Sequence, residues 1–117
     1  MGHGAPDGDT PPAMLDTETA ASVAATLQAL ATPSRLLILS RLRHSSCSVT
    51  ELADAVGMQQ SAVSHQLRLL RNLGLVTGER AGQRIVYGLH DDHVAMLLDQ
   101  AIYHSEHLRD RDRVNQP

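Results

Sequence analysis

Apolar residues recur every three to four positions along most of the chain, broken by short polar stretches and by one β-branched run, so the pattern reads as helices with a single hairpin. Behind Asp16, whose carboxylate suits an N-cap, a helix is expected over residues 17–30. Thr32 followed by Pro33 is an N-cap with proline at the first helical position. Leu36, Leu37, Ile38, Leu39 and Leu42 make the segment to Arg43 apolar nearly all round, hence central. After a loop over 44–47, Ser48-Val49-Thr50-Glu51 fits a capping box that starts a short helix ending at Val56. Gly57 supplies a left-handed stop. Only Met58 and Gln59 then precede a fourth periodic segment over 60–73, closed by Gly74. Two helices around a tight glycine turn are a helix-turn-helix pattern.

Leu75-Val76-Thr77 and Arg84-Ile85-Val86-Tyr87 flank Arg80-Ala81-Gly82-Gln83 and predict a hairpin with a basic tip. His90-Asp91-Asp92 can cap a last helix over about 93–108. The expected organisation is a flexible arm over 1–15, one domain over 16–108 and a disordered tail over 109–117. No internal repeat is present. With 117 residues, 42% of them hydrophobic, the chain suits one domain with a modest core. Its only aromatic residues are Tyr87 and Tyr103, a palette that favours helices over a sandwich. The fold class expected is mainly α with a small β-hairpin. One cysteine, Cys47, permits neither an internal disulfide nor a cysteine-only metal cluster. No secretion signal or membrane-length apolar stretch is evident, which points to the cytoplasm and away from a membrane.

The net charge of −3 hides an asymmetry. All ten cationic residues are arginines. Residues 32–90 hold seven of them against three acids, while the two flanks are acidic. A basic middle suits a phosphate-binding surface, although a mixed solvated surface has the same charges. In 60–73, Val63, Leu67 and Leu70 face inward at helical spacing, which turns Gln60, Ser61, Ser64, His65 and Arg68 outward. Small polar donors around one arginine are what a helix needs to read base edges and phosphates in a major groove. Arg80 and Arg84 on the hairpin could lie along the flanking backbone.

The run from Glu51 to Arg68, followed by Leu70-Arg71-Asn72-Leu73-Gly74-Leu75-Val76 and preceded by Ala31-Thr32-Pro33-Ser34-Arg35-Leu36, resembles the winged helix-turn-helix of the ArsR/SmtB metalloregulators. The resemblance covers about residues 17–108. It implies a metal-responsive repressor that is a homodimer through its N- and C-terminal helices, with double-stranded operator DNA as its partner. It also implies that Gln60, Ser61, Ser64, His65 and Arg68 face that DNA, and that Arg80 and Arg84 form the wing. Many relatives carry a Cys-x-Cys metal box on the third helix. The matching stretch here is Leu52-Ala53-Asp54-Ala55, so no thiolate site is implied there.

Four of the seven histidines (His44, His65, His90 and His3) sit in loops, in the reading helix or in the arm, and the other three share the last helix. Asp91-x-His93 and His104-x-x-His107 form two donor pairs. At about 100° per residue, His93, His104 and His107 fall on one narrow stripe beside an apolar arc. His93 and His104 are about 16 Å apart along a straight helix, whereas a metal bond is about 2.1 Å, so one chain cannot close a site with both pairs. Two copies packed antiparallel across a two-fold axis would bring each pair to the other and make two sites. The spacing alone also describes a histidine-rich solvated edge. Nitrogen and carboxylate donors suit Ni(II), Co(II) or Zn(II). Removal of Met1 would leave the Gly2 α-amine beside His3, two further nitrogen donors able to raise four ligands to six and so to favour Ni(II) or Co(II) over tetrahedral Zn(II). Met1-Gly2-His3-Gly4, both pairs and the run from Ala101 to Leu108 resemble the nickel- and cobalt-sensing members of the family. That resemblance implies Asp91, His93, His104 and His107 as core ligands, completed by Gly2 and His3.

The function expected is repression by the metal-free dimer and release from DNA on binding Ni(II) or Co(II), derepressing metal efflux genes. Two alternatives stand beside it: the same scaffold sensing Zn(II), or a redox signal through Cys47. A small metallohydrolase is more remote, since no zinc-protease motif or glycine-rich nucleotide loop is present and the basic middle would have no role. The chain is expected not to be an enzyme.

Overall fold

The computed structural model describes residues 14–115, with side chains through Asp112. Asp16 caps the first helix, α1 (Thr17–Ala29), by accepting the Thr19 N–H at 2.7 Å. The Thr32 hydroxyl accepts the Arg35 N–H at 3.3 Å and starts α2 (Pro33–His44), bent by 84° from α1. Next come a two-residue strand β1 (Cys47–Ser48) and α3 (Val49–Val56). The capping box forms in both directions: Ser48 Oγ accepts the Glu51 N–H at 3.2 Å, and Glu51 Oε1 accepts the Ser48 N–H at 3.0 Å. Gly57, at φ +71° and ψ 34°, ends α3 in the left-handed conformation that only glycine adopts at little cost. The turn delivers the chain directly into α4 (Gln60–Asn72).

Strands β2 (Val76–Ala81) and β3 (Arg84–Leu89) pair antiparallel, with Ala81 opposite Arg84. The two-residue connection has Gly82 at φ +68°, the positive value that a type II′ hairpin turn places at its first central position. β1 joins β3 on the other side, Cys47 opposite Tyr87 and Ser48 opposite Val86, to give the order β1-β3-β2. The helix α5 (Asp92–Asn115) closes the chain. This is the helix-turn-helix and hairpin that the periodicity predicts, and the winged form that the resemblance implies, with one strand added. Residues 44–47, expected as loop, contribute Cys47 to that strand; two residues carry no period to read.

The tail expected over 109–117 is corrected over 109–115, where α5 runs on to Asn115; residues 116–117 lie outside the described residues. Neither glycine nor proline occurs between Leu108 and Asn115, and arginine is a good helix former, so nothing local stops the helix. Most of the arm expected over 1–15 lies outside the described residues.

The core sits where α2, α3 and α4 meet. Ile38, Leu39 and Leu42 pack with Leu52, Val63, Leu67 and Leu70, and Leu75 and Val76 lead from there into the sheet. Val94 and Leu98 anchor only the first half of α5, and α1 gives the core only Ala29 beside Leu30 at its end. Val23 and Leu27 of α1 and Ile102, Tyr103 and Leu108 of α5 are exposed. An apolar groove between α2 and α5, lined by Pro33, Leu36, Leu37, Leu98, Ala101 and Ile102, is open beside them. Large side chains each gain about 1.5–3 kcal/mol on full burial, so α1, α2 and α5 present an uncovered apolar surface among the described residues. No single helix among the described residues is long and apolar enough to cross a membrane.

Candidate nucleic-acid interface and metal centre

Val63, Leu67 and Leu70 fix the rotation of α4 by sitting in the core, and Gln60, Ser61, Ser64, His65 and Arg68 are exposed on its other side, as the sequence predicts. The arginines of the basic middle divide by what their heads do. Arg35 Nε donates to Gln66 Oε1 at 2.8 Å, which ties α2 to the buried side of α4. Arg41 Nη1 donates to the Ser45 carbonyl at 2.9 Å. Arg43 binds both carboxylate oxygens of Asp99, at 3.2 and 3.0 Å, and ties α2 to α5. Among the described residues, Arg68, Arg71 and Arg80 have no such partner.

The hairpin register separates the two wing arginines. Arg80 pairs with Ile85 and Ala81 with Arg84, and side chains alternate along a strand, so Arg80 and Arg84 lie on opposite faces of the ribbon. Arg80 shares its face with Tyr87. Arg84 turns back to Glu51 of α3, 3.6 Å away. Sequence periodicity gives each strand its alternation but not the pairing that decides which residues share a face. Arg71 and Asn72 were not singled out by the sequence, yet they line a polar cleft with Ser64, Arg68 and Tyr87. The signal was available, since 64, 68, 71 and 72 follow the same helical spacing.

At the start of α5, Asp91 serves twice. Its Oδ1 accepts the Val94 N–H at 3.2 Å, which caps the helix, and its Oδ2 lies 3.2 Å from His90 Nδ1 and 3.6 Å from His93 Nδ1. The hydrogen bond with His90, then the Val94 amide and the nearby histidines, hold the Asp91 carboxyl below the usual carboxylate range. The carboxylate is therefore preoriented and ionised, with an imidazole side chain that is 91% exposed beside it. His90, which the sequence reading leaves as a solvated loop residue, is a neighbour of the Asp91 carboxylate. Further along α5, His104 and His107 are exposed. Among the described residues, no three histidine, cysteine, aspartate or glutamate side chains of the single chain are arranged so that they could hold a metal ion, the His90–Asp91–His93 cluster included. The donors are hard or borderline nitrogens and oxygens, a set whose chemistry fits a divalent first-row metal. Gly2 and His3 lie outside the described residues.

Cys47 is buried, and burial pushes its thiol up. A redox-sensing cysteine needs the opposite, an accessible thiolate.

A family model described as bacterial regulatory protein, arsR family, matches residues 32–77, which run from the cap of α2 to the first residues of the wing. The HTH-type transcriptional regulator NmtR of Mycobacterium tuberculosis is 68% identical over 108 residues, 92% of this chain and 90% of that protein. The HTH-type transcriptional repressor SmtB of the same organism is 43% identical over 79 residues, 68% of this chain and 58% of that protein. Among solved structures, the solution structure of apo-NmtR matches with a TM-score of 0.71 at 67% identity, covering 91% of this chain and 89% of that one. A homodimeric winged helix-turn-helix DNA-binding domain from Mycobacterium bovis matches with a TM-score of 0.73 at 33% identity, over 85% and 95%.

Proposed function

The chain belongs to the arsR family of bacterial regulatory proteins, as a homodimeric DNA-binding transcriptional regulator and not an enzyme, and from that premise we propose that it is a cytoplasmic repressor released from its operator by Ni(II) or Co(II). In the metal-free dimer, two α4 helices enter successive major grooves of a palindromic operator, with half-sites about one helical turn apart. Gln60, Ser61, Ser64, His65 and Arg68 meet the DNA in each half-site. Arg80 follows the flanking backbone, and Arg84 reaches it only by leaving Glu51.

The effector is held by Asp91 and His93 of one protomer with His104 and His107 of the other, and Gly2 and His3 complete the coordination. The observation that carries this reading is the exposed histidine stripe on α5, running beside the exposed Ile102, Tyr103 and Leu108. A helix that must be covered by a second copy carries donors that one copy cannot bring together. With no thiolate in the set, soft metals are disfavoured, and six donors favour Ni(II) or Co(II) over Zn(II). Metal shifts the dimer toward a geometry in which the reading helices no longer match the half-sites. The coupling is reciprocal, so operator DNA weakens metal binding by the same factor, typically about 1–3 kcal/mol in allosteric systems.

The test is a Ni(II) titration of the operator-bound dimer, followed by fluorescence anisotropy. Release is expected for the native chain, and none for the double variant His104→Ala with His107→Ala, which still binds DNA when metal-free. Ni(II) binding that leaves operator affinity unchanged, or a double variant that still responds, would overturn the reading. Absorption spectra of the Co(II) and Ni(II) forms, with and without Gly2 and His3, report whether those two residues complete the shell. A six-coordinate spectrum that persists without them would remove them from the ligand set.

A further inference from the structure

The geometry points to a binding site at the C-terminal end of α4, formed by Arg71, Asn72 and Tyr87 with Ser64 and Arg68, that clamps a backbone phosphate of the DNA duplex. This inference rests on the chain's DNA binding and not on its response to metal.

Three observations converge on it. The cleft between α4 and β3 is lined by Ser64, Arg68, Arg71, Asn72 and Tyr87: two guanidinium groups, two neutral polar side chains, a phenol and no acid. Arg68 and Arg71 have no ion pair or hydrogen bond to another described residue, whereas Arg35, Arg41, Arg43 and Arg84 are all engaged within the chain. The strand register puts a further arginine nearby on the hairpin without an acid beside it: Arg80, outside the cleft's lining, lies on the ribbon face that carries Tyr87, while Glu79 lies on the other. A concentration of unpaired guanidinium groups around neutral donors is a site for a small anion, and arginine forks match phosphate oxygens in pairs.

The position of the cleft selects the anion. At about 100° per residue, Gln60, Ser61, Ser64, His65, Arg68, Arg71 and Asn72 occupy a single arc of roughly 140° on α4, so the cleft continues the reading face. That helix has 13 residues and is about 20 Å long, whereas the major groove is about 12 Å wide. When the first turns meet base edges, the last turn reaches the wall of the groove, which is the phosphate backbone. Arg71 therefore positions the protein and adds affinity, and the residues around Ser61 specify sequence.

The experiment uses the full-length, metal-free dimer and two duplexes: one recovered by selection from a random-sequence pool, the other a scrambled sequence of the same length. Binding is measured by anisotropy as a function of salt. Arg71→Ala is expected to weaken both duplexes roughly tenfold at physiological salt and to lower the slope of log K against log salt by about one per protomer, with the preference between duplexes unchanged. Arg71→Lys, which keeps the charge, is expected to keep the slope. Inorganic phosphate at millimolar concentration, monitored by amide shifts at residues 71 and 72, separates a free anion from the duplex. Saturation there would make the site one for free phosphate and overturn the proposal. An unchanged salt slope in Arg71→Ala, or a changed preference between the duplexes, would also overturn it, the latter by making Arg71 a base reader. The exposure of Arg71 means that its loss leaves the core intact, and an unaltered melting temperature checks this.

Discussion

At Glu51, one carboxylate starts a helix and steadies a wing. Its Oε1 accepts the Ser48 N–H within the capping box and lies 3.6 Å from Arg84 on the hairpin. The Ser48 hydrogen bonds, aided by Arg84 and Arg41, hold its carboxyl below the ordinary value of 4.5. The sign follows: a carboxylate with a lowered folded pKa contributes stability that is fully present above about 4.5 and is lost as pH falls through the lower folded value. Glu51→Gln is therefore expected to flatten the acid limb of the stability curve while changing its shape little at neutral pH. Urea midpoints measured through the carboxylate range check this, and an acid limb identical to that of the native chain would refute it. Ser48→Ala removes the other half of the box and is expected to cost about 1 kcal/mol at neutral pH. The box itself is legible in the sequence because both partners lie within one turn. The tie to Arg84 is not, since it requires the hairpin to fold back over α3, a placement decided by the β1–β3 pairing of two residues.

Among the elements, α4 owes its direction to the turn before it. Gly57 adopts φ +71°, and an added Cβ would meet nothing within 4 Å, so a substitution there is penalised by backbone conformation alone. Gly57→Ala is expected to cost roughly 1–2 kcal/mol and to lower the melting temperature by several degrees without abolishing the fold. A calorimetric scan decides it, and a variant as stable as the native chain would show that the turn relaxes into another conformation. What the sequence made visible at this scale was local: caps at Asp16, Thr32 and Ser48, the glycine stop, and the inward stripe of Val63, Leu67 and Leu70. What escaped it depended on pairing between distant segments or on a missing stop signal. Cys47 joins a sheet through Tyr87, 40 positions away, Arg80 and Arg84 part to opposite faces through a register that neither strand encodes alone, and α5 continues for lack of a breaker. The donors around Asp91 were legible as residues, but the cap that orients the carboxylate became visible only with the Val94 amide in place.

For the whole molecule, the question is whether two α5 helices run antiparallel, because only then do the donor pairs at opposite ends of one helix become neighbours. Symmetry turns this into a complementation experiment. Asp91→Ala with His93→Ala removes one pair, and His104→Ala with His107→Ala removes the other, so each homodimer lacks every complete site. In a mixed dimer, the intact pair of one protomer meets the intact pair of the other at one of the two symmetry-related positions, and both pairs are missing at the second. Equal amounts of the two variants, unfolded and refolded together, give mixed dimers in about half of the population, so tight Ni(II) binding is expected to return to roughly one ion for every four chains, against one per chain in the native dimer. Parallel helices would set each pair against its own copy, and a site within one chain would ignore the mixture. Either arrangement predicts no recovery at all, and titration calorimetry on the refolded mixture separates it from the antiparallel pair. The same mixture measures the coupling in parts: if a dimer with one working site releases DNA only partially, each ion biases the shared two-state geometry by its own differential affinity, as linkage requires.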